Sequence, residues 1–428
     1  MLLPRHVPDL ITAKSGNHNQ ESYIPDYMIR RPLFTAQYLD IDSLVTYRNS
    51  ETGMAQGKER YIERLKMYLD KNETNSIFVQ DIETLIRYAE NDEHLDMLDH
   101  LIEVFMSSED LRSFGPERHS KSIAKLYYIL GQTNRAHKNV LDTDRFGTFF
   151  NSQFVFKVVM TMLFDAGLYE DAAKLYDVAI QRLEEGRYQK NTLVTLALAS
   201  YAKINTPEAF ADARKVLDSN NKNGRSVTIR QALYMSHIAL NNNDPRYALN
   251  LISITSTGSP TLFPNKALAL INLQRFDDLK ESIYSLLDIA SNRSDSLRPM
   301  SRDIITHINN CLRDLEDEAL RQDIQDALKS LSEKVKLCDE SLEKTVFVPL
   351  DDRQFTKRRF DRQSNHNRQH YADEVDETED GLYTRPKRGQ MFQDRQETIL
   401  PTRSFRRRTD TRRDNQRQYR ESRQNDDE

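Results

Sequence analysis

The residues with the clearest metal-binding spacing are His366 and His370, which would share one face of a helix as an i, i+4 pair. They lie in a stretch rich in Arg, Gln, Asn and Asp that has few aliphatic residues. Such a composition predicts disorder, and a stable metal site is not expected there. The sequence also lacks the motifs of phosphate-binding loops, dinucleotide-binding turns, zinc hydrolases and serine hydrolases. We therefore expect no enzyme activity, no cofactor and no metal centre.

A series of basic side chains has the chemistry to bind phosphate. Its members are Arg118, Lys121, Lys125, Lys157, Lys190 and Lys203. Arg118, Lys121 and Lys125 occupy positions i, i+3 and i+7, which form one stripe on a helix. Lysine contacts a nucleic-acid backbone as a point charge and does not distinguish bases. Two interpretations stay open: a track for an RNA backbone, or a solvated face that keeps the helices soluble.

The arginine-rich end of the chain is a second basic element. Its candidate RNA contacts are Arg406, Arg407, Arg408, Arg412 and Arg413. Phe405 and Tyr419 lie among these arginines, and arginine with scattered aromatic residues can hold single-stranded RNA by phosphate contacts and stacking. An acidic run at 373–380 would compete for the same arginines. The alternative interpretation is a solvated tail of mixed charge.

Charge and cysteine content limit the class of protein. The 428 residues contain 61 Lys and Arg against 66 Asp and Glu, a net charge of −5, so any attraction to phosphate must be local. Gly (12 residues) and Pro (13 residues) are sparse, as in helix-rich chains. Cys311 and Cys338 have no zinc-site spacing and suit a reducing compartment such as the cytosol or the mitochondrial matrix.

Composition divides the chain into three parts. Residues 1–30 are polar, and we interpret them as a leader, with mitochondrial targeting as one option although the Arg-rich amphipathic pattern of a good transit peptide is missing. Residues 31–340 show an almost unbroken helical periodicity and no sustained strand alternation. Residues 350–428 are predicted to form a disordered, Arg-rich tail. No apolar run approaches the ~20 residues that a membrane-spanning helix needs.

A recurring junction divides the helical part into hairpins. A Gly or polar residue is followed five positions later by a small or apolar residue, at Gly131/Ala136, Gly167/Ala172, Asn205/Phe210, Asn243/Ala248 and Gln274/Leu279. Asn91 is the candidate start of an earlier, weaker copy, and the spacings from it onward are 40, 36, 38, 38 and 31 residues. Near-equal intervals of this size indicate stacked helical hairpins that bury their apolar faces on one another. We predict an all-α, right-handed α-solenoid.

The clearest unit spans 151–186. Asn151 or Ser152 can cap its first helix, which is apolar on nearly every side and should be buried between neighbours. Gly167 would supply the left-handed turn after that helix. Ala172 is small at the point where the two antiparallel helices must approach closely.

The next two units share a further device at their junctions. Thr206-Pro207 and Asp244-Pro245 each place an N-cap residue before a proline at the first position of the second helix. Asn205 and Asn243 stand where Gly would otherwise be, because Asn is the commonest non-glycine residue in the left-handed region.

The order of Gly and Ala within a period near 35 resembles the pentatricopeptide pattern. The segments FGTFFNSQFVFKVVMTMLFDAGLYEDA and YAKINTPEAFADARKVLD go further, and resemble the family of the mitochondrial pentatricopeptide repeat-containing protein 2. That resemblance implies a location in the mitochondrial matrix, binding of single-stranded mitochondrial RNA, and mRNA processing, notably of the cytochrome b message, in support of the respiratory chain. It also implies processing enzymes or the ribosome as partners. The Arg-poor leader and the Arg-rich tail depart from the family pattern.

The resemblance also implies where bases would be read. In a pentatricopeptide array the first helices line the concave face, and one residue near the start of each helps to read a base; here these are Lys121, Lys157, Thr195, Leu233 and Pro264. Thr195 alone is of a typical base-reading type, so a code of one base per repeat is not expected. The missing readers and the acidic net charge favour an alternative, a protein-binding scaffold associated with the mitochondrial ribosome.

Overall fold

The computed structural model describes residues 33–50, 55–71, 77–107, 116–183, 191–222, 226–255, 259–293 and 299–347. Within these ranges the chain is almost entirely helical, which confirms the predicted all-α class. The helices are α1 (Ile41–Asn49), α2 (Ala55–Asp70), α3 (Val79–Tyr88), α4 (Asp92–Ser107), α5 (Pro116–Ile129), α6 (Thr133–Leu141), α7 (Thr143–Phe146), α8 (Gln153–Asp165), α9 (Tyr169–Arg182), α10 (Asn191–Ile204), α11 (Pro207–Lys222), α12 (Ile229–Asn241), α13 (Pro245–Thr255), α14 (Phe263–Asn272), α15 (Phe276–Arg293), α16 (Arg302–Leu312), α17 (Glu318–Lys334) and α18 (Leu342–Val346). Two short strands, β1 (Met300–Ser301) and β2 (Leu337–Cys338), accompany the last helices.

The first helices of successive hairpins stack on one another. Helices α5, α8, α10, α12, α14 and α16 contact one another in chain order and form what we call the first-helix row. The second helices α9, α11 and α13 each contact the first helix of their own hairpin and the first helix of the next. Each hairpin thus buries its apolar side against its neighbours, as in a repeat solenoid.

The predicted junctions are present as left-handed turns. The backbone φ angles are 67° at Gly131, 79° at Gly167, 54° at Asn205, 57° at Asn243 and 56° at Gln274. The five-residue pattern therefore marks the same turn in five successive hairpins. Asn91 differs, because its φ is not positive, and its side-chain oxygen instead accepts a hydrogen bond from the backbone N–H of His94 at 2.9 Å, at the start of α4.

Gln274 is the least suitable residue among these turns, because a left-handed backbone strains a side chain that has no local hydrogen bond to compensate. Its side chain is exposed. We expect Gln274→Gly to raise the free energy of unfolding by about 0.5–1 kcal/mol, since Gly adopts this conformation without strain. Urea unfolding followed by circular dichroism would measure the change. The control is Lys329→Gly in the middle of α17, which should lower stability by about 1 kcal/mol; a loss at both positions would contradict the prediction.

The caps and the buried helix of the 151–186 unit are confirmed. The Ser152 hydroxyl accepts a hydrogen bond from the backbone N–H of Val155 at 3.3 Å. Nine of the 13 residues of α8 are buried. Thr206 accepts from Ala209 N–H at 3.2 Å at the start of α11. Asp244 accepts from the Tyr247 N–H at 3.1 Å at the start of α13, so both Pro-initiated helices begin as predicted.

The small or apolar residue of each junction is buried in four hairpins and half-buried in one. Ala136, Ala172, Ala248 and Leu279 are fully buried. Phe210 is half-buried and packs edge-to-face against Tyr247 of the next hairpin, with ring centroids 5.7 Å apart. The large side chain at this junction therefore also contacts the following repeat.

The chain turns back after the last hairpin. Strands β1 and β2 pair in parallel, with Met300 opposite Leu337 and Ser301 opposite Cys338. The helical region predicted to end at 340 continues in α18, which contacts α12 and β1. Strands of two residues are too short to show alternation, which is why the sequence did not predict them. Across the ranges described above, none of the helices combines the length and apolarity needed to cross a bilayer.

Candidate nucleic-acid interface

The structure places most of the predicted RNA-binding residues of the helical part on the first-helix row. Lys121 and Lys125 lie on α5, Lys157 on α8, and Thr195 and Lys203 on α10. Arg118 also belongs to α5, but its side chain lies outside the described residues. Lys190 and the tail arginines Arg406, Arg407, Arg408, Arg412 and Arg413 lie outside them as well. The role of all these residues in RNA binding stays a prediction.

Lys125 binds residues near the beginning of the described chain through an ion pair and a hydrogen bond. Its Nζ lies 2.6 Å from Asp40 Oδ2 and donates to the Ser43 hydroxyl at 3.1 Å. The ammonium group also lies 5.3 Å from the centre of the Phe154 ring. Only 12% of the Lys125 side chain is exposed, so its charge is compensated within the protein. Lys121, one turn earlier, is half-buried, and it forms no ion pair with any described residue.

Lys157 lies between two aromatic rings. Its Nζ is 5.0 Å from the centre of the Tyr38 ring and 4.9 Å from that of Phe154, distances at which a cation is attracted to the ring face. Tyr38 stacks on Phe34 with ring centroids 4.8 Å apart. The Tyr38 hydroxyl is 3.5 Å from the Thr192 hydroxyl at the start of α10. Residues 33–40, the N-terminal segment, therefore lie across α5, α8 and α10.

Thr195 is buried in the first-helix row, with 2% of its surface exposed. Its hydroxyl donates to the Asn191 carbonyl at 2.9 Å and accepts from Gln231 Nε2 of α12 at 3.3 Å. These bonds join α10 to α12 and leave the hydroxyl facing protein. Burial argues against direct base reading by Thr195, and its role in RNA binding stays a prediction.

Lys203 binds residues at the end of the described chain through an ion pair and a contact with an aromatic ring. Its Nζ lies 3.0 Å from Glu343 Oε1 and 4.0 Å from the centre of the Phe347 ring. The bond from Lys203 holds the pKa of the Glu343 carboxyl below its ordinary value. We call residues 341–347 the C-terminal strap. The strap lies against the C-terminal ends of α8 and α10 and the middle of α12, because Phe347 also contacts Phe164 of α8 and Tyr234 of α12.

His237 on α12 faces the strap. Its ring meets Phe347 edge-on with centroids 6.1 Å apart, and its Nε2 is 3.3 Å from Asn241 Nδ2. Burial lowers the pKa of His237, so the ring is neutral at physiological pH. His237 is half-buried between α12 and the strap.

Sequence reasoning missed the partners of these lysines. Tyr38 and Thr192 are 154 positions apart, and Lys203 and Glu343 are 140 apart. No spacing pattern in a single sequence connects residues so distant, and the aromatic rings that carry the contacts resemble ordinary core residues. The described residues contain no group of three His, Cys, Asp or Glu side chains able to hold an ion.

The fold and the junctions define an all-α protein of stacked helical hairpins, with the spacing of pentatricopeptide repeats. Comparison with protein-family models finds no match. Among curated proteins, the chain is similar to the human protein called pentatricopeptide repeat-containing protein 2, mitochondrial, with 24% identity over 231 residues. That match covers 52% of this chain and 58% of the human protein, so it spans less than two thirds of that relative.

Two further relatives carry the same name. The protein of Pongo abelii is 23% identical over 317 residues, which cover 72% of this chain and 75% of the relative. The protein of Xenopus laevis is 25% identical over 234 residues, covering 54% and 59%. These matches confirm the resemblance to the mitochondrial pentatricopeptide repeat-containing protein 2 family.

Proposed function

We propose that this chain is a mitochondrial RNA-binding factor that acts in RNA maturation. The observation that carries the proposal is the presence of lysines on successive members of the first-helix row: Lys121 on α5, Lys157 on α8 and Lys203 on α10. Lysines spaced in this way can contact successive phosphates of one strand. The names of the relatives, which contain both the repeat and the organelle, support the class and the location.

The resemblance extends the proposal to finer points. We place the protein in the mitochondrial matrix, where it would act in mRNA processing, with the cytochrome b transcript as a target, and so support respiratory-chain function. It would bind RNA and present it to processing enzymes or to the ribosome, and would not cleave it. Cross-linking and sequencing from mitochondria should then recover discrete mitochondrial transcripts.

Charge reversal on the first-helix row tests RNA binding. We expect Lys121→Glu with Lys157→Glu to weaken binding of a labelled oligouridylate. The dependence of log K on log salt should also become shallower, by about 0.7 for each phosphate that the variant no longer neutralises. Fluorescence anisotropy over a range of salt concentrations would measure both quantities. Thermal unfolding would verify that the variant is folded.

The matched control is Lys215→Glu on the second helix α11, whose side chain is 78% exposed and pairs with Asp212. It should leave both affinity and salt dependence nearly unchanged. Equal effects at both places would show a nonspecific response to charge. A protein that ignores single-stranded RNA at moderate salt and recovers no transcripts by cross-linking would exclude the proposed function.

A protein-binding scaffold associated with the mitochondrial ribosome is the second candidate. It is favoured by the net charge of −5 and by the pairing of Lys125 and Lys203 with carboxylates of this same chain. Under this alternative, protein partners captured from mitochondria should persist when Lys121 and Lys157 are reversed. Under the RNA proposal, recovery of RNA should fall.

A further inference from the structure

Phe347 lies in a setting that suits a flat aromatic group. Its ring is nearly parallel to that of Tyr234, with centroids 5.5 Å apart and planes inclined by 13°. The ammonium group of Lys203 lies 4.0 Å from its centre, and His237 meets it edge-on. Stacking on an aromatic side chain beside a cation is how proteins hold the bases of single-stranded nucleic acid.

Glu343 supplies the anion of the same arrangement. Its carboxylate pairs with Lys203 at 3.0 Å, so one lysine meets both a ring and a negative charge of the strap. A nucleotide offers the same two groups, a base and a phosphate, a few ångströms apart. The strap therefore presents to Lys203 and Tyr234 the chemistry that one RNA nucleotide would present.

The strap is fixed at its base by strand pairing and at its tip by contacts with a few side chains. At the base, β2 pairs with β1, and the Ser301 hydroxyl donates to the Glu340 carbonyl at 2.6 Å. The tip is the five-residue helix α18, in which Val346 alone is buried. So short a helix is not stable by itself, and its position depends on contacts of a few side chains.

We propose that Tyr234, His237 and Lys203 form a binding site for one nucleotide of single-stranded RNA, and that the strap occupies this site when RNA is absent. Phe347 then stands in place of the base and Glu343 in place of the phosphate. This inference rests on the proposed RNA-binding function and assigns it a site outside the positions expected to read bases. Bound RNA displaces α18, so that its base stacks on the ring of Tyr234 and its phosphate pairs with the ammonium group of Lys203.

Opening the strap in the full-length chain tests the site. The variant Phe347→Ala with Glu343→Gln should bind a labelled oligouridylate about tenfold more tightly than the unmodified protein, because the RNA no longer competes with the strap. Adding Lys203→Gln to that variant should remove most of the gain. Hydrogen exchange provides a second measurement: RNA added to the unmodified protein should speed exchange of the backbone amides of 342–347.

Two control variants make the same kinds of substitution at positions away from the strap. Phe78→Ala removes an exposed phenylalanine on the N-terminal side of α3, and Asp212→Asn removes the carboxylate of a lysine pair on α11; neither should alter RNA affinity. If Phe347→Ala does not fold, Glu343→Gln alone breaks the ion pair with Lys203 without adding a positive charge that would itself attract RNA, and should give part of the gain.

The outcomes separate this inference from the proposed function. Binding by the unmodified protein with no gain in the open variants would overturn the strap site and leave the proposed function standing. A gain that survives Lys203→Gln would overturn the assignment of Lys203. Slower exchange of 342–347 with RNA would show that the strap is a permanent part of the core. No RNA binding by any variant would overturn both proposals.

Discussion

Replacing Asp99 by alanine is expected to lower the free energy of unfolding by about 3–5 kcal/mol, because it takes the shared acceptor away from the buried donors around it. Asp99 lies on α4 with 3% of its surface exposed. Its carboxylate accepts hydrogen bonds from the Tyr127 hydroxyl at 2.7 Å, from Asn139 Nδ2 at 2.8 Å and from Arg135 Nη1 at 2.7 Å. One side chain therefore joins α4 to α5 and α6.

The buried hydrogen-bond donors around Asp99 depend on its carboxylate. Tyr127 and Asn139 are themselves buried, and burial together with the nearby charge of Asp99 raises the pKa of Tyr127 well above its ordinary value. Without Asp99 the Tyr127 hydroxyl loses its acceptor, and Asn139 Nδ2 keeps only its bond to the Tyr127 oxygen at 3.0 Å. An unsatisfied buried donor costs about 1–3 kcal/mol. Arg135 would keep its pair with Asp96 at 2.7 Å.

Asp96→Ala is the matched control, since Asp96 pairs with the same Arg135 but is 71% exposed. Exposed pairs contribute about 0–1 kcal/mol, so this variant should unfold almost as the unmodified protein does. Urea denaturation followed by circular dichroism measures both variants. A loss below about 1 kcal/mol for Asp99→Ala would mean that water replaces the carboxylate in the cluster.

The fold was predictable from the sequence because its signals are local. A left-handed turn needs Gly or a tolerant residue, and Gly131, Gly167, Asn205 and Asn243 indicate it by type and spacing. Asn91 does not form this left-handed turn, because a side-chain cap can separate two helices without it. The two-residue strands and the helix after 340 escaped prediction, since their position depends on pairing with distant residues.

The candidate site was only partly predictable for a related reason. The helical period correctly puts Lys121 and Lys125 on one stripe of α5, and the junction alignment places Lys157 and Thr195 on successive first helices. Neither the helical period nor the junction alignment can tell which of these four residues faces solvent. Thr195 points between α10 and α12, while Lys125, Lys157 and Lys203 meet groups of the two terminal segments. Those contacts join each terminal segment to helices in the middle of the chain, and periodicity carries no information about pairs so far apart in sequence.

Truncating Phe156 is the second change with a large expected effect on stability. This side chain is fully buried in α8, and α8 contacts α5, α6, α9 and α10. Removal of a buried phenylalanine side chain costs about 3–5 kcal/mol, the more so where surrounding elements cannot close the cavity. Four neighbouring helices that are each held by their own hairpins have little freedom to do so. We expect Phe156→Ala to fall in the upper half of that range.

The position of α8 within the stack adds a second consequence. In a solenoid each hairpin is stabilised by its neighbours, so a weakened α8 also weakens the coupling between the hairpins before and after it. The urea transition of Phe156→Ala should therefore be broader as well as earlier, with the hairpins on either side unfolding at different urea concentrations. The control is Phe78→Ala, which removes a phenylalanine that is 61% exposed and should leave the midpoint and the width nearly unchanged. A sharp, merely shifted transition for Phe156→Ala would mean that the whole helical stack unfolds as one unit, with its coupling distributed over contacts other than those of α8.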